Sequence, residues 1–252
     1  MKKLGFISAF MLFFFIANAT GFADDNKLSM QLLVSGVMGY GKNPGMNSSA
    51  KNSAQEDVDL IYSLYSARFD VDSSTANWPK GGDIDFRYFF DNIGLGLELG
   101  YHITKAEAKA THSNYLEKTT STFKLSVIPV VATLYYKIDL ESSNNFILLG
   151  GGVGYYFGNM NFDYKEEIIP SSWPYHSSSN DYKQSKVGYH VLVEYDYVMD
   201  VGFTFFAGMK YRYVKFDEFK DGSYILHEYG TSKNLKAGLT GVALYLGAGM
   251  SF

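Results

Sequence analysis

The chain has 252 residues, a formal charge of −4 and no cysteine. Mild acidity without a basic patch argues against a nucleic-acid partner, and the lack of cysteine excludes a disulfide framework. With 21 Tyr, 20 Phe and 25 Gly against 5 Pro, the composition suits either a membrane barrel or a soluble periplasmic sandwich. What separates these two is the direction in which apolar side chains point.

The chain begins Met1-Lys2-Lys3, continues with an apolar run from Leu4 to about Ala17, and then reads Gly21-Phe22-Ala23. A basic start, an apolar core and a small-x-small site predict a secretory signal peptide over residues 1–23, with cleavage after Ala19 as the alternative. The apolar core is short for a membrane span of about 20 residues. The mature domain is expected over residues 24–252.

The first strand is expected over Leu28–Tyr40, with Met30, Leu32, Val34, Met38 and Tyr40 on one face. From Gly41 to Gly82 the chain is polar and rich in turn residues, although Asp59–Val71 has strand-like composition. Asp83–Phe90 alternates Ile84, Phe86, Tyr88 and Phe90 against Asp83, Asp85 and Arg87. A tight Asp91-Asn92 turn leads into a strand from Ile93 to about Thr104. There five large aliphatics and Tyr101 oppose Gly94, Gly96, Glu98, Gly100 and His102. Period-two alternation gives a strand two different faces. A face this apolar needs a second sheet in water but can stand alone in lipid.

A charged loop is expected over Lys105–Ser121, followed by a fourth strand over Thr122–Leu140. Its apolar residues are Phe123, Leu125 and Val127 before Ile128-Pro129, and Val130, Ala132, Leu134, Tyr136 and Ile138 after it. That slip predicts a β-bulge at the proline. A fifth strand follows over Phe146–Phe157, then a long loop over Gly158–Gln184. Strands six and seven are expected over Lys186–Val198 and Val201–Phe216, joined by Met199-Asp200. The eighth runs from about Leu235 to Phe252, with Met250, Leu246, Leu244 and Val242 opposite small residues and Tyr245.

The predicted connections alternate between long and short. Together these features predict an all-β, eight-stranded antiparallel up-and-down transmembrane barrel with short periplasmic turns, longer extracellular loops and both termini periplasmic. Aromatic residues near strand ends, including Phe90, Tyr135, Tyr136, Tyr155, Tyr195, Tyr211 and Phe252, suit the two bilayer interfaces.

The hairpin Phe86-Arg87-Tyr88-Phe89-Phe90-Asp91-Asn92-Ile93-Gly94-Leu95 resembles those of small bacterial outer-membrane barrels: relatives of the OmpA transmembrane domain, OmpW-type barrels and opacity proteins. Ile128-Pro129-Val130-Val131-Ala132-Thr133-Leu134-Tyr135-Tyr136 is similar to their proline-led fourth strand. The resemblance covers essentially the whole mature chain. It implies export through the Sec pathway, residence in the outer membrane and outer-membrane lipid as surroundings. It also implies that the barrel-assembly machinery reads a C-terminal signal, here Tyr245, Leu246, Met250 and Phe252. The group shares a scaffold and not one activity, so no extracellular ligand is named by it.

The predicted lumen collects Asp83, Asp85, Arg87, Glu98, His102, Lys124, His190, Glu194, Asp196, Lys210 and Arg212. Eight strands enclose a space that side chains can fill, and buried charges must be paired. The expected result is a salt-bridged plug and a structural or surface-interaction role. The alternatives are a narrow polar path, as in an OmpW-like channel for small or hydrophobic solutes, and a lipid-modifying enzyme. No catalytic residue, cofactor or metal site is assigned. His190 and Glu194 lie about 13 Å apart at the strand rise, too far for a catalytic pair. Gly150-Gly151-Gly152-Val153-Gly154 lies within a strand and lacks the lysine of a phosphate loop. The five histidines show no metal-ligand spacing.

Overall fold

The structure is a computed structural model that describes residues 28–41, 43, 45–54, 69–74, 79–112, 118–140, 144–167, 176–228 and 232–252. The predicted signal peptide and most of the strand-like Asp59–Val71 segment lie outside the described residues.

Eight strands close a ring: β1 (Leu28–Gly41), β3 (Lys80–Phe90), β4 (Ile93–His112), β5 (Lys118–Asp139), β6 (Asn145–Glu167), β7 (His176–Val198), β8 (Phe203–Tyr213) and β13 (Gly241–Ser251). Each pairs antiparallel with its neighbours, and β1 joins β13 from Gln31↔Ser251 to Gly41↔Gly241. The remaining strands are short: β2 (Phe69–Ser74), β9 (Lys215–Phe216), β10 (Lys220–Asp221), β11 (Tyr224–Ile225) and β12 (Ala237–Gly238). No described helix is long and apolar enough to cross a membrane.

Burial alternates along the ring strands. Leu95, Leu97, Leu99, Leu134, Val153, Val191, Leu244 and Leu246 are exposed on the outside, while Asp85, Arg87, Glu98, Thr133 and Glu194 are buried within. Exposed rings border this apolar belt at both ends. Phe90, Tyr136, Tyr197 and Phe205 lie at the short-turn end, and Tyr101, Tyr155, Phe157 and Tyr189 lie toward the other. At the short-turn end the two-residue Asp91-Asn92 hairpin places Asp91 at φ 55°, the left-handed geometry such a turn requires. Tyr135 is a correction to the expected belt: it points inward and is 1% exposed.

The wall is uneven. β3, β8 and β13 have 11 residues each, whereas β4 to β7 have 20 to 23. Eleven residues at about 3.3 Å each, tilted by about 45°, cross one apolar layer. The taller four strands continue well past it. Most of the loops expected over Lys105–Ser121 and Gly158–Gln184 are therefore strand. Beyond the ring, β2 pairs with β4 and β10 with β7, which widens the taller wall into a sheet.

The bulge expected at Pro129 does not form. β5 pairs with β6 in one unbroken register from Lys118↔Glu167 to Asp139↔Phe146. Against β4 the register passes from Leu99↔Val130 to His102↔Val127 without an added residue. Proline has no N–H to donate, so the ladder is interrupted there without a shift. Phe123, Leu125 and Val127 simply face inward, in phase with Val131, Thr133 and Tyr135.

Those three side chains belong to an apolar core above the exposed apolar belt. Ala106, Ala108 and Ala110 of β4, Tyr156 and Met160 of β6, and Val214, Phe216, Phe219, Leu235, Ala237 and Leu239 complete its wall. A helix over residues 45–54, α1, fills the middle. Its buried residues Met46, Ser49, Ala50, Ser53 and Ala54 fall at i, i+3, i+4, i+7 and i+8, one helical face. The Asn43 carbonyl accepts from Asn47 N–H at 3.1 Å, and its side-chain oxygen accepts from Gly238 N–H at 2.8 Å. Ser53 and Ser121 hydroxyls meet at 2.9 Å. The small residues of α1 let it approach the β-wall closely.

Candidate functional site

The lumen within the ring holds two charge clusters. Nearer the short turns, Arg87 of β3 donates from Nε to Asp85 Oδ2 at 2.7 Å and reaches across to β7. There its two terminal nitrogens grip both oxygens of Glu194, the Nη2–Oε2 bond being 3.0 Å, and Asp196 lies 3.6 Å from Nη1. A bidentate guanidinium–carboxylate pair is the strongest geometry such a contact can take. Tyr135 donates to Asp85 at 2.8 Å, and the Tyr135 and Phe206 rings lie 4.8 and 5.5 Å from the guanidinium carbon.

Toward the upper core, Arg212 of β8 donates from Nη2 to Asp83 at 2.8 Å and to Glu98 at 3.0 Å. Lys210 also bonds Glu98. His102 Nε2 lies 2.9 Å from both Arg212 Nη1 and Asp83 Oδ1. The two clusters thus bridge β3, β4, β7 and β8 across the lumen. Five carboxylates, Asp83, Asp85, Glu98, Glu194 and Asp196, face three cations, Arg87, Lys210 and Arg212, and all eight residues are buried. The acidic excess gathers around Arg87, which serves three carboxylates.

Glycine makes room for these large groups. A Cβ on Gly96 would stand 2.6 Å from the Tyr135 ring, and one on Gly208 would stand 2.5 Å from Tyr245. Lys210 Nζ in turn sits 5.2 Å from the Tyr245 ring.

The structure brings ten of the eleven expected lumen residues inside. Lys124 is the exception: it stands on the outer face of β5, beside Ser126 and Ile128 on a surface groove. With no bulge at Pro129, an inward Phe123 and Leu125 require an outward Lys124. His190 is buried but bonds Thr133 Oγ1 at 3.1 Å, with no carboxylate contact. Gln31, Thr104, Thr133, Tyr135, Thr204 and Tyr245 also turn inward. Thr104 and Thr204 share the phase of the charged residues on their own strands, a signal that could have found them, whereas β1, β5 and β13 carry no buried charge to mark the inward face. Among the described residues, no group of three His, Asp or Glu side chains is arranged to hold a metal ion.

The expected C-terminal signal residues divide between faces. Tyr245 is buried in the lumen, while Leu246 and Phe252 are 71% and 49% exposed outside; Met250 is half-buried and pairs with Leu32. Phe252 exchanges backbone hydrogen bonds with Met30, N to O at 2.8 Å and O to N at 3.1 Å. This places Phe252 on the β1–β13 seam at the short-turn end.

A family model described as "outer membrane protein beta-barrel domain" matches residues 44–252. No curated protein matches the chain. Among solved structures, OprG from Pseudomonas aeruginosa is similar at 12% identity and TM-score 0.48, covering 90% of this chain and 96% of that one. Ail of Yersinia pestis, solved with the heparin analogue sucrose octasulfate, is similar at 13% identity and TM-score 0.38, covering 89% and 99%. Neisserial surface protein A is similar at 14% identity and TM-score 0.32, covering 89% and 95%.

Proposed function

The chain belongs to the outer membrane protein beta-barrel domain family, and from that premise we propose that it is a closed barrel with a structural or surface-interaction role, neither a channel nor an enzyme. The observation that carries this reading is the double closure of the interior. Arg87 and Arg212 tie opposite walls together within the ring, and α1 with its apolar surroundings fills the space above. A solute path would have to break both. The isolation of His190 from the carboxylates speaks against acid–base chemistry on lipid.

In this reading residues 1–23 direct Sec export and are removed, and residues 24–252 form the barrel. The termini and short turns face the periplasm, and the tall wall of β4–β7 stands outside. Outer-membrane lipid surrounds the belt, and the assembly machinery engages β13 through Phe252. Planar-bilayer recording on the purified, detergent-folded protein tests the closed interior. The expected trace is silent across the range of applied voltages. Reproducible unit conductance steps would replace this function with the channel reading.

A further inference from the structure

Three lysines crowd one outward patch where the apolar belt ends below the tall wall. Lys105 of β4 and Lys124 of β5 are direct cross-strand partners. Lys80 of β3 pairs with Ile103, two residues from Lys105 on the same face. Like charges placed opposite each other on a sheet repel, so such a cluster costs stability unless an anion sits among them. Within the protein, Glu107 and Asp163 line the same groove as Lys105, Lys124 and Lys165, and Glu107 is shared: Lys105 bonds it, and Lys109 bonds it at 2.8 Å, so the cations stay in excess. Among the described residues, Lys80 and Lys124 have no ion-pair partner.

The second observation is the shape of the wall beneath. β3 ends at Lys80 while β4 continues, and β2 takes up pairing with β4 only from Glu107. The step leaves an open niche of about 770 Å³ lined by Lys80, Gly81, Gly82, Tyr101, Ile103 and Lys105, and Lys124 stands next to Lys105 in the adjoining groove. Gly82 pairs on its other side with Gly36, where an added Cβ would meet nothing within 4 Å. Below, the outer surface continues into Leu99 and Leu97. The niche therefore has a cationic rim, an aromatic and aliphatic side wall, a glycine floor, and an apolar surface leading down into the bilayer.

We propose that this niche binds a phosphorylated lipid of the surrounding leaflet, with phosphate among Lys80, Lys105 and Lys124 and an acyl chain along Tyr101, Ile103 and Leu99. The proposal rests on the membrane orientation given above, which makes that leaflet the outer one and a phosphorylated acyl glycolipid its headgroup source. Charge and apolar surface are both required. A free anion would use only the rim, and a dephosphorylated lipid only the wall.

Native mass spectrometry of the full barrel released from detergent micelles tests this. The probes are bisphosphorylated lipid A, fully dephosphorylated lipid A and inorganic phosphate as competitor. Each basic side chain near a membrane surface is worth about fivefold in anionic-lipid binding. The expected result is a preference of about tenfold or more for the phosphorylated lipid. Lys80→Glu, Lys105→Glu and Lys124→Glu combined should abolish it, and the three Arg replacements should retain it. The combined Lys118→Glu, Lys215→Glu and Lys236→Glu variant, at three exposed positions away from the niche, makes the same change in net charge and serves as the control. Equal binding of the two lipids, or a preference untouched by the three Glu replacements, overturns the proposal. Displacement of lipid A by millimolar phosphate reassigns the niche to small anions. Heat-dependent electrophoretic mobility is read on every variant. A folded barrel without lipid preference sinks this inference alone, whereas a protein soluble without detergent sinks the membrane reading beneath it.

Discussion

Arg87 serves Asp85, Glu194 and Asp196 together, so its removal leaves three buried carboxylates with no cation in contact. Breaking a buried pair by deleting one partner costs about 3–5 kcal/mol, because the other charge is stranded. Arg87→Ala should lower the unfolding free energy of the barrel by that amount, read as a fall in its urea midpoint at unchanged m-value. Arg87→Lys should recover only part, since an ammonium cannot fork across both oxygens of Glu194. An unchanged midpoint for Arg87→Ala would mean that the carboxylates find other partners. At this scale the sequence is legible where charge and phase agree: Asp83, Asp85 and Arg87 alternate with large apolar residues and could only be inside. It misleads at Lys124, because alternation distinguishes two faces without saying which one meets lipid. Where the interior turns apolar, as at Phe123, Leu125 and Val127, the rule that apolar means outward reverses.

The elements show the same limit. β3, β4 and their Asp91-Asn92 turn follow directly from alternation and turn chemistry. α1 does not, because Gly45-Met46-Asn47-Ser48-Ser49-Ala50-Lys51-Asn52-Ser53-Ala54 has the polarity and small residues of a loop. Its helical face becomes evident only when a wall of Ala106, Ala108 and Ala110 stands opposite to receive it. The upper hairpins were hidden for a related reason: their outward residues are as polar as any loop. Phe123 locks this zone, with its ring centroid 4.6 Å from that of Phe162. Phe123→Ala should cost about 3–5 kcal/mol, confined to the upper zone. Limited proteolysis would report it as faster cutting between residues 45 and 54 and within 214–240, with the mobility of the ring strands unchanged. Equal protease resistance in the variant would show that α1 is held independently of this core.

For the molecule as a whole, orientation is testable because the native chain has no cysteine. Ser223 lies in the turn between β10 and β11, beside the upper part of β7, and Val201, 75% exposed, lies in a turn at the opposite end. Ser223→Cys should react with a membrane-impermeant maleimide on intact cells, and Val201→Cys only after the outer membrane is breached. The reverse pattern would invert the orientation proposed here. In a chain that also lacks Phe252, labelling of Ser223→Cys should fall, since the β1–β13 seam loses its final pair of backbone bonds. Undiminished labelling would remove Phe252 from assembly.

The uneven wall also divides the protein between two solvents. Below, backbone hydrogen bonds are protected by lipid, and no water drives apolar surfaces together. Above, Phe216, Phe219, Leu235 and the face of α1 are buried out of water. The force holding them is largely entropic near room temperature and fades on cooling. Cold should therefore loosen the upper zone while the ring beneath it holds. The upper half of this barrel would behave thermally as a small water-soluble protein carried on a membrane-embedded base.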